Sequence, residues 1–211
     1  MEKHDFNIDY VMSLAEELSH NSMVAYEDLP KYDLFLSQVI DYLNDKFTNE
    51  NYTNNIVQNY IKSDVISKPE DGKKRGYTKL HLVQLVLLSY MRPLLTAEEI
   101  KKVFRLAFNN INDRSDDIIS WEKAYKIFAD IQKNSFDAFL STPLFDNNML
   151  DDITEGLKLE EKDEERIRTF IIVMSLIAQA SVIKKLVQQI VNEYHEESLD
   201  ELIKKLNSEN Q

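Results

Sequence analysis

The sequence predicts an all-α protein, and two observations support this prediction. The 211 residues include only 3 glycines and 4 prolines, whereas sheet proteins need many more turn residues of these types. Apolar side chains also recur every three or four residues along most of the chain, which is the helical period. With 43% hydrophobic and 29% charged residues, the chain can bury a core and does not have the composition of a disordered segment.

Nine helices are expected in order along the chain. Apolar periodicity and start signals predict helices over about 5–19, 34–47, 53–62, 78–91, 96–109, 116–139, 147–157, 160–196 and 198–206. Thr53 and Thr78 are the expected N-caps of the third and fourth helices. Thr96 and Glu99 have the spacing of a capping box at the start of the fifth helix.

A polar stretch over 109–115 predicts a domain boundary. The expected organisation is an N-terminal helix over 1–28, a compact module over 29–110 and a helical C-terminal region over 111–211. The C-terminal region is interpreted as a candidate dimerisation or effector-binding region.

Charge is distributed unevenly along the chain. The formal net charge is -12, which by itself argues against a general polyanion binder. Residues 51–110 nevertheless carry a net charge of +5, between flanks of -8 over 1–50 and -9 over 111–211. A basic segment within an acidic chain indicates a surface for a polyanion, although a solvated basic face would give the same count.

The predicted helix over 53–62 has two chemically different faces. Ile56, Val57, Tyr60 and Ile61 share one arc. The opposite arc carries only amides and one ammonium group, from Asn54, Asn55, Gln58, Asn59 and Lys62. Because Asn and Gln can bond an adenine edge in the major groove, this pattern favours DNA recognition. The alternative is an ordinary solvated face in a chain rich in asparagine.

A basic loop follows this helix. Lys73, Lys74 and Arg75 lie in a glycine-containing stretch, and Tyr77 and Lys79 come at the start of the next helix. Cations beside an amide-bearing helix are typical of phosphate anchoring next to base recognition. Glu70 and Asp71 in the same loop reduce its positive charge.

The order of these residues resembles a known family. The segments LPKYDLFLSQVIDYLNDKF, NYIKSDVISKP and RGYTKLHLVQLVLLSYMRPLLTAEEIKKVF resemble the MerR-like winged helix and, as a whole, the bacterial family called domain of unknown function 1836. The resemblance covers about residues 29–107. It implies a DNA-binding fold and a transcriptional role, with the amide face of helix 53–62 in the groove, the Lys73–Arg75 wing on the backbone and Tyr77 after the wing glycine.

Two departures from the family pattern reduce the expected affinity for phosphate. An amide replaces the usual arginine of the recognition helix, and Thr78 stands where the pattern has an arginine after Gly-Tyr. These departures favour an alternative function, in which the chain is a protein-interaction adaptor that keeps the winged fold without binding DNA.

Other chemistry has little support in the sequence. There are no cysteines, and the four histidines have no metal-ligand spacing. Glycine-rich phosphate loops and nucleophile motifs are absent, so we expect no catalytic residues, metal or cofactor and do not expect an enzyme. His81, in the helix after the basic loop, is interpreted as a surface or packing residue.

The C-terminal half contains a strongly apolar helix. Its longest nearly uncharged run, 170–183, has 14 residues, fewer than the roughly 20 that cross a membrane. We therefore expect central burial, no membrane association and a cytoplasmic protein, since the N-terminus also lacks a signal peptide. A homodimer interface is the other interpretation, and the aromatic residues of this half leave open a small-molecule sensor.

Overall fold

The structure is a computed structural model that describes residues 8–20, 23–48, 50–69, 76–141, 152, 154–157 and 160–209. Within these ranges it contains helices and two isolated β-bridges but no β-strand. The helices are α1 (Ile8–His20), α2 (Leu36–Lys46), α3 (Asn54–Lys62), α4 (Lys79–Met91), α5 (Ala97–Arg105), α6 (Trp121–Ser141) and α7 (Glu161–Glu209), with a short 3-10 helix at Tyr26–Asp28. The predicted all-α class is therefore confirmed for the described residues.

Local capping signals correctly predicted where the central helices begin. Thr53 caps α3, since its Oγ1 accepts a hydrogen bond from Ile56 N at 3.3 Å. The capping box at α5 is also present, with Thr96 N donating to Glu99 Oε2 at 2.8 Å and Glu99 N donating to Thr96 Oγ1 at 3.3 Å. These bonds satisfy amide groups that have no partner within their own helix.

Three helix bounds differ from the prediction: α6 begins at Trp121 rather than at about 116, and two helix ends also differ. Helix α5 ends at Arg105 rather than near 109, because Leu106 N and Ala107 N donate to Val103 O and Phe104 O, three residues back, at 3.1 Å each, and this tighter turn closes the helix. Helix α7 continues without a break from 161 to 209, where two helices were expected. The sequence between them has no glycine or proline to stop a helix. Of the helix expected over 147–157, most lies outside the described residues.

The chain forms two compact units. The first consists of residues 1–25 and 127–183, and the second of residues 26–126 and 184–211. The second unit thus extends past the boundary expected at 109–115. This extension has a physical cause, since Ile118 N donates to Ala107 O at 2.9 Å and Asn109 Nδ2 donates to Asp116 O at 2.8 Å. These bonds fold the polar stretch back onto α5.

Helix α4 is the centre of the second unit. Its residues from 81 to 89 are all buried, which agrees with a helix that is apolar almost all round. Leu82, Leu85 and Leu88 are completely buried. The core continues into an aromatic cluster of Phe104, Phe108 and Trp121, in which the Phe108 and Trp121 rings stack with centroids 3.6 Å apart.

The expected central burial of the apolar C-terminal helix is wrong. Only 6% of the most apolar 18-residue window of Asp163–Glu196 is buried, and the mean hydropathy of that window is 1.9. A 49-residue helix is about 73 Å long, more than twice the roughly 30 Å diameter of a small domain. Such a helix is too long for its own chain to surround. By length and composition alone, this segment is also long enough to cross a membrane.

Candidate nucleic-acid interface

Helices α2 and α3 are joined by a turn that is fixed from several sides. Asn44 Nδ2 donates to Tyr52 O at 3.0 Å, and Tyr52 N donates to Asn44 Oδ1 at 2.6 Å. Tyr52 Oη is hydrogen-bonded to Ser89 Oγ at 2.7 Å, which ties the turn to α4. Arg92 pairs with the Glu50 carboxylate at 3.0 Å and lies over the Tyr52 ring. The turn therefore holds α3 rigidly against α2 and α4.

Helix α3 presents the amide face that the sequence predicts. Val57 and Ile61 are buried, and Ile56 and Tyr60 are half-buried. On the opposite side, four of the five predicted groove-facing residues are exposed to solvent: Asn54, Asn55, Asn59 and Lys62. Three primary amides and one ammonium group thus project from a single helical surface. This set can donate and accept hydrogen bonds at base edges and can contact phosphate.

The fifth residue of this face, Gln58, is held by Tyr77. Gln58 is half-buried and its Nε2 donates to Tyr77 Oη at 3.1 Å. Tyr77 is only 5% exposed, and burial raises the pKa of its hydroxyl, an effect that the Gln58 bond opposes. The structure thus places Tyr77 among the packing residues, and its ring is not accessible as the predicted DNA contact. Its role is to position Gln58 at the edge of the amide face.

The C-terminal end of α3 is fixed by α5. Ser63 Oγ donates to Asn59 O at 2.9 Å, and Lys101 Nζ donates to Ser63 O at 2.9 Å. A cation at a helix C-terminus also interacts favourably with the helix dipole. The next residue, Asp64, has a φ of 53°, so the chain turns sharply away from the helix there.

The predicted wing is anchored at both ends. Before the loop, Ser67 N and Ser67 Oγ both donate to the buried Gln84 Oε1, at 3.0 and 2.8 Å. After the loop, Tyr77 and Leu34 form an antiparallel bridge, with Leu34 N donating to Tyr77 O at 2.8 Å. The predicted contacts Lys73, Lys74 and Arg75 lie outside the described residues.

His81 connects the two ends of this loop. Of the two interpretations of His81, as a surface or a packing residue, the structure supports packing, because His81 is only 3% exposed. Thr78 N donates to its Nδ1 at 3.0 Å, which makes Nδ1 an acceptor, so Nε2 carries the proton and donates to Lys68 O at 3.1 Å. A neutral imidazole therefore fastens the start of the loop to its end.

Replacing His81 by alanine is expected to lower the free energy of unfolding by about 2–3 kcal/mol, because it removes buried hydrogen bonds and leaves a small cavity. Urea unfolding followed by the fluorescence of Trp121 measures the change, since the chain has one tryptophan. The exposed Lys123→Ala variant is the control. A loss below 1 kcal/mol for His81→Ala would show that the loop is anchored by other contacts.

Lys79 lies at the start of α4, beside the loop. Its Nζ is 3.7 Å from the centre of the Tyr26 ring, a cation–π arrangement, and the residue is half-buried. Lys79, which the sequence predicts as a DNA contact, thus already contacts the Tyr26 ring within the protein.

Three cations lie together near the end of α3, and two of them, Lys101 and Arg105, were not selected by the sequence reasoning. Lys68, Lys101 and Arg105 line a cleft of about 490 Å³ with Asp64 and the amides of 109, 110 and 112. Lys101 and Arg105 are four residues apart on α5, and residues at this spacing lie side by side on one face of a helix. This spacing was the signal in the sequence that could have identified them. Lys68 N also donates to Asn112 Oδ1 at 2.9 Å. These residues extend the positive charge beyond α3.

Comparison with known proteins gives a family and one curated relative. Residues 24–128 match the family described as "Domain of unknown function (DUF1836)". This match confirms the resemblance to the domain of unknown function 1836 that the sequence showed. The chain is 39% identical over 67 residues to the "Uncharacterized protein YkrK" of Bacillus subtilis (strain 168). This match covers 30% of the chain and 28% of the relative. No solved structure matches the chain.

Proposed function

We propose that this chain, whose residues 24–128 match the DUF1836 family, is a sequence-specific DNA-binding transcriptional regulator that acts in the cytoplasm. The observation that carries the proposal is the exposed amide face of α3, on a helix whose other side and both ends are fixed by the rest of the unit. A rigid helix of this kind fits the DNA major groove, which is wide enough to admit it.

The fold supports a MerR-like winged helix-turn-helix as the form of this module. Helices α2 and α3 supply the helix-turn-helix, and the loop between 69 and 76 supplies the wing. The bridge between Leu34 and Tyr77 brings the end of the wing back to the start of the helix-turn-helix. The basic residues of the loop directly precede Gly76 and Tyr77 in the sequence, and Tyr77 holds Gln58 of α3 through a hydrogen bond.

In the proposed mechanism, each exposed side chain of α3 has a distinct role. Asn54, Asn55 and Asn59 read base edges, since an amide can bond adenine N6 and N7 at once. Lys62, in the last turn of the helix, contacts phosphate. Lys73–Arg75 contact the backbone or the minor groove. The +5 net charge of residues 51–110 supplies the attraction that the acidic remainder of the chain lacks.

The salt dependence of DNA affinity tests this proposal. Wild-type protein is expected to bind a selected duplex with an affinity that falls steeply as salt increases, because phosphate contacts release counterions. The triple variant Lys73→Ala/Lys74→Ala/Arg75→Ala is expected to bind more weakly and to reduce the slope of log affinity against log salt by about 2–3. Fluorescence anisotropy between 50 and 300 mM salt measures both quantities.

The matched control for the wing variant is Lys123→Ala/Lys133→Ala/Lys184→Ala, which removes three exposed cations elsewhere. Its net charge is the same as that of the wing variant. This control is expected to leave the salt slope nearly unchanged. If wild-type protein shows no salt-sensitive affinity for any duplex, the proposal fails, and a protein-interaction adaptor becomes the better assignment.

A further inference from the structure

The cleft beside the end of α3 concentrates positive charge without a counterion. Lys68, Lys101 and Arg105 line it together with Asp64, and we call it the α5 cleft. Every described residue that lines it belongs to the second unit. In the part of the chain that the structure describes, no carboxylate lies within ion-pair distance of the three cations. Three positive groups and one negative group give the cleft a formal net charge of +2, although the whole chain carries -12.

This arrangement of cations is unfavourable in the absence of a partner. Lys101 and Arg105 are four residues apart on α5, and like charges at that spacing destabilise a helix. Lys68 brings a third positive charge to the same cleft. Elsewhere in the described chain a cation has a carboxylate partner, as Arg92 has in Glu50 at 3.0 Å. A bound anion would remove the repulsion within the cleft.

Two of the three cations are positioned by bonds to the surrounding chain. Lys101 Nζ donates to Ser63 O at 2.9 Å, and an ammonium group has three donors, so this bond leaves donors for a ligand. The backbone of Lys68 is fixed on both sides, because Lys68 N donates to Asn112 Oδ1 at 2.9 Å and Lys68 O accepts from His81 Nε2 at 3.1 Å. Groups that are positioned before a ligand arrives lose less conformational entropy on binding.

The size and lining of the cleft suit a small polar ligand. Its volume of about 490 Å³ lies within the range of about 300–1,000 Å³ that is typical of small-molecule sites. Phe104 and Phe108 line it and are only 6% and 4% exposed, so they offer little apolar surface. Asn109 and Asn110 are exposed beside the cations, and amides can both donate to and accept from hydroxyl groups.

We propose that the α5 cleft binds a small phosphorylated ligand that carries two or more negative charges. The planar guanidinium of Arg105 can donate two parallel hydrogen bonds to a phosphoryl group, and Lys68 and Lys101 supply two ammonium groups. A phosphate ester carries a charge of about -1.5 to -2 at pH 7, which balances the +2 of the cleft. A single carboxylate would balance only half of it.

A phosphate of the DNA backbone has the same chemistry but fits this site less well. The site is a concave cleft, and Lys101 within it is half-buried. A free ligand can enter such a cleft, whereas a duplex presents its phosphates on a stiff rod. The chain also turns away from α3 at Asp64, whose φ is 53°, before it reaches the cleft.

The ligand has a consequence for the regulator, and this consequence alone rests on the proposed function. Lys101 connects the cleft to Ser63, which directly follows Lys62 of α3. A bound anion would cancel the positive charge beside the end of α3 and weaken the attraction for DNA phosphates. Inorganic pyrophosphate is therefore expected to lower the DNA affinity of wild-type protein several-fold at constant ionic strength, and to leave that of Arg105→Gln unchanged.

Titration calorimetry of the full chain with inorganic pyrophosphate, in the absence of divalent metal and DNA, tests the inference. Wild-type protein is expected to bind one pyrophosphate per chain. Arg105→Gln is expected to bind about tenfold more weakly or worse, because a pair of charge-assisted hydrogen bonds is lost. The Arg105 side chain is exposed and has no bond to the described residues, so circular dichroism is expected to show an unchanged fold. Lys123→Gln removes an exposed cation outside the cleft and is expected to bind like wild type.

Nitrogen-15 NMR spectra of the full chain locate the bound pyrophosphate. The side-chain amide signals of Asn109, Asn110 and Asn112 are expected to shift on titration in wild-type protein and to stay in place in Arg105→Gln. Absence of pyrophosphate binding, equal weakening by Arg105→Gln and Lys123→Gln, or shifts only at other residues would overturn the inference. A wild type that ignores pyrophosphate, with an Arg105→Gln variant that loses affinity for duplex DNA, would overturn it in favour of a DNA backbone contact.

Discussion

Replacing Phe108 by alanine is expected to lower the free energy of unfolding of the second unit by about 3–5 kcal/mol. Phe108 is 4% exposed and stacks on Trp121, with the ring planes 7° apart and the centroids separated by 3.6 Å. Removing the ring leaves a cavity beside the indole and removes an aromatic pair. Phe108 also packs the segment that follows α5 against the first residue of α6, so its removal weakens the contact between these two helices.

Urea unfolding followed by Trp121 fluorescence measures this prediction directly. In the folded Phe108→Ala variant, the fluorescence of the Trp121 indole is expected to shift to longer wavelength, because water gains access to the face of the ring. Ile118→Ala is the control, because Ile118 lies in the same connection and is 69% exposed. Its expected effect is below 0.5 kcal/mol. Similar losses for both variants would show that the aromatic cluster is not part of the core.

Replacing Asn55 and Asn59 together by aspartate is expected to lower the affinity for the selected DNA site about 100-fold or more. Each residue would lose a bidentate contact that discriminates bases by roughly 1–3 kcal/mol, and each new carboxylate would repel nearby phosphate. Both side chains are exposed on α3, so the fold of the variant is expected to remain unchanged.

The matched control for this variant is Gln132→Glu/Asn134→Asp, which makes the same change in net charge on α6. It is expected to change affinity less than threefold. Anisotropy titrations at a fixed salt concentration compare the two variants, and circular dichroism checks that both fold. Equal weakening by the two variants would show that net charge alone, and not the amide face of α3, determines binding.

The sequence was sufficient to predict features that depend on neighbouring residues. Helix starts follow from capping side chains such as Thr53 and Thr96, whose hydrogen-bond partners lie three residues away. The two faces of α3 follow from helical periodicity alone, because Val57 and Ile61 must share one side. These are local consequences of backbone geometry.

Features that depend on distant residues were not predictable in the same way. Tyr77 looked like a DNA contact beside basic residues, but its burial depends on pairing with Leu34 and Gln58. The sequence left His81 as either a surface or a packing residue, and its bond to Lys68 O depends on how distant parts of the chain come together. The exposure of α7 depends on how much other chain is present to cover a helix of that length, which periodicity does not reveal.

The most direct test of the proposed function is affinity selection of fragmented genomic DNA by the purified protein, followed by sequencing. Wild-type protein is expected to enrich a small set of sites that share one motif with two related halves. The Asn55→Asp/Asn59→Asp variant is expected to enrich none of them, and Gln132→Glu/Asn134→Asp is expected to enrich the same set. Absence of any enrichment by wild-type protein at low salt, or the same motif with the α3 variant, would contradict recognition of DNA by this helix.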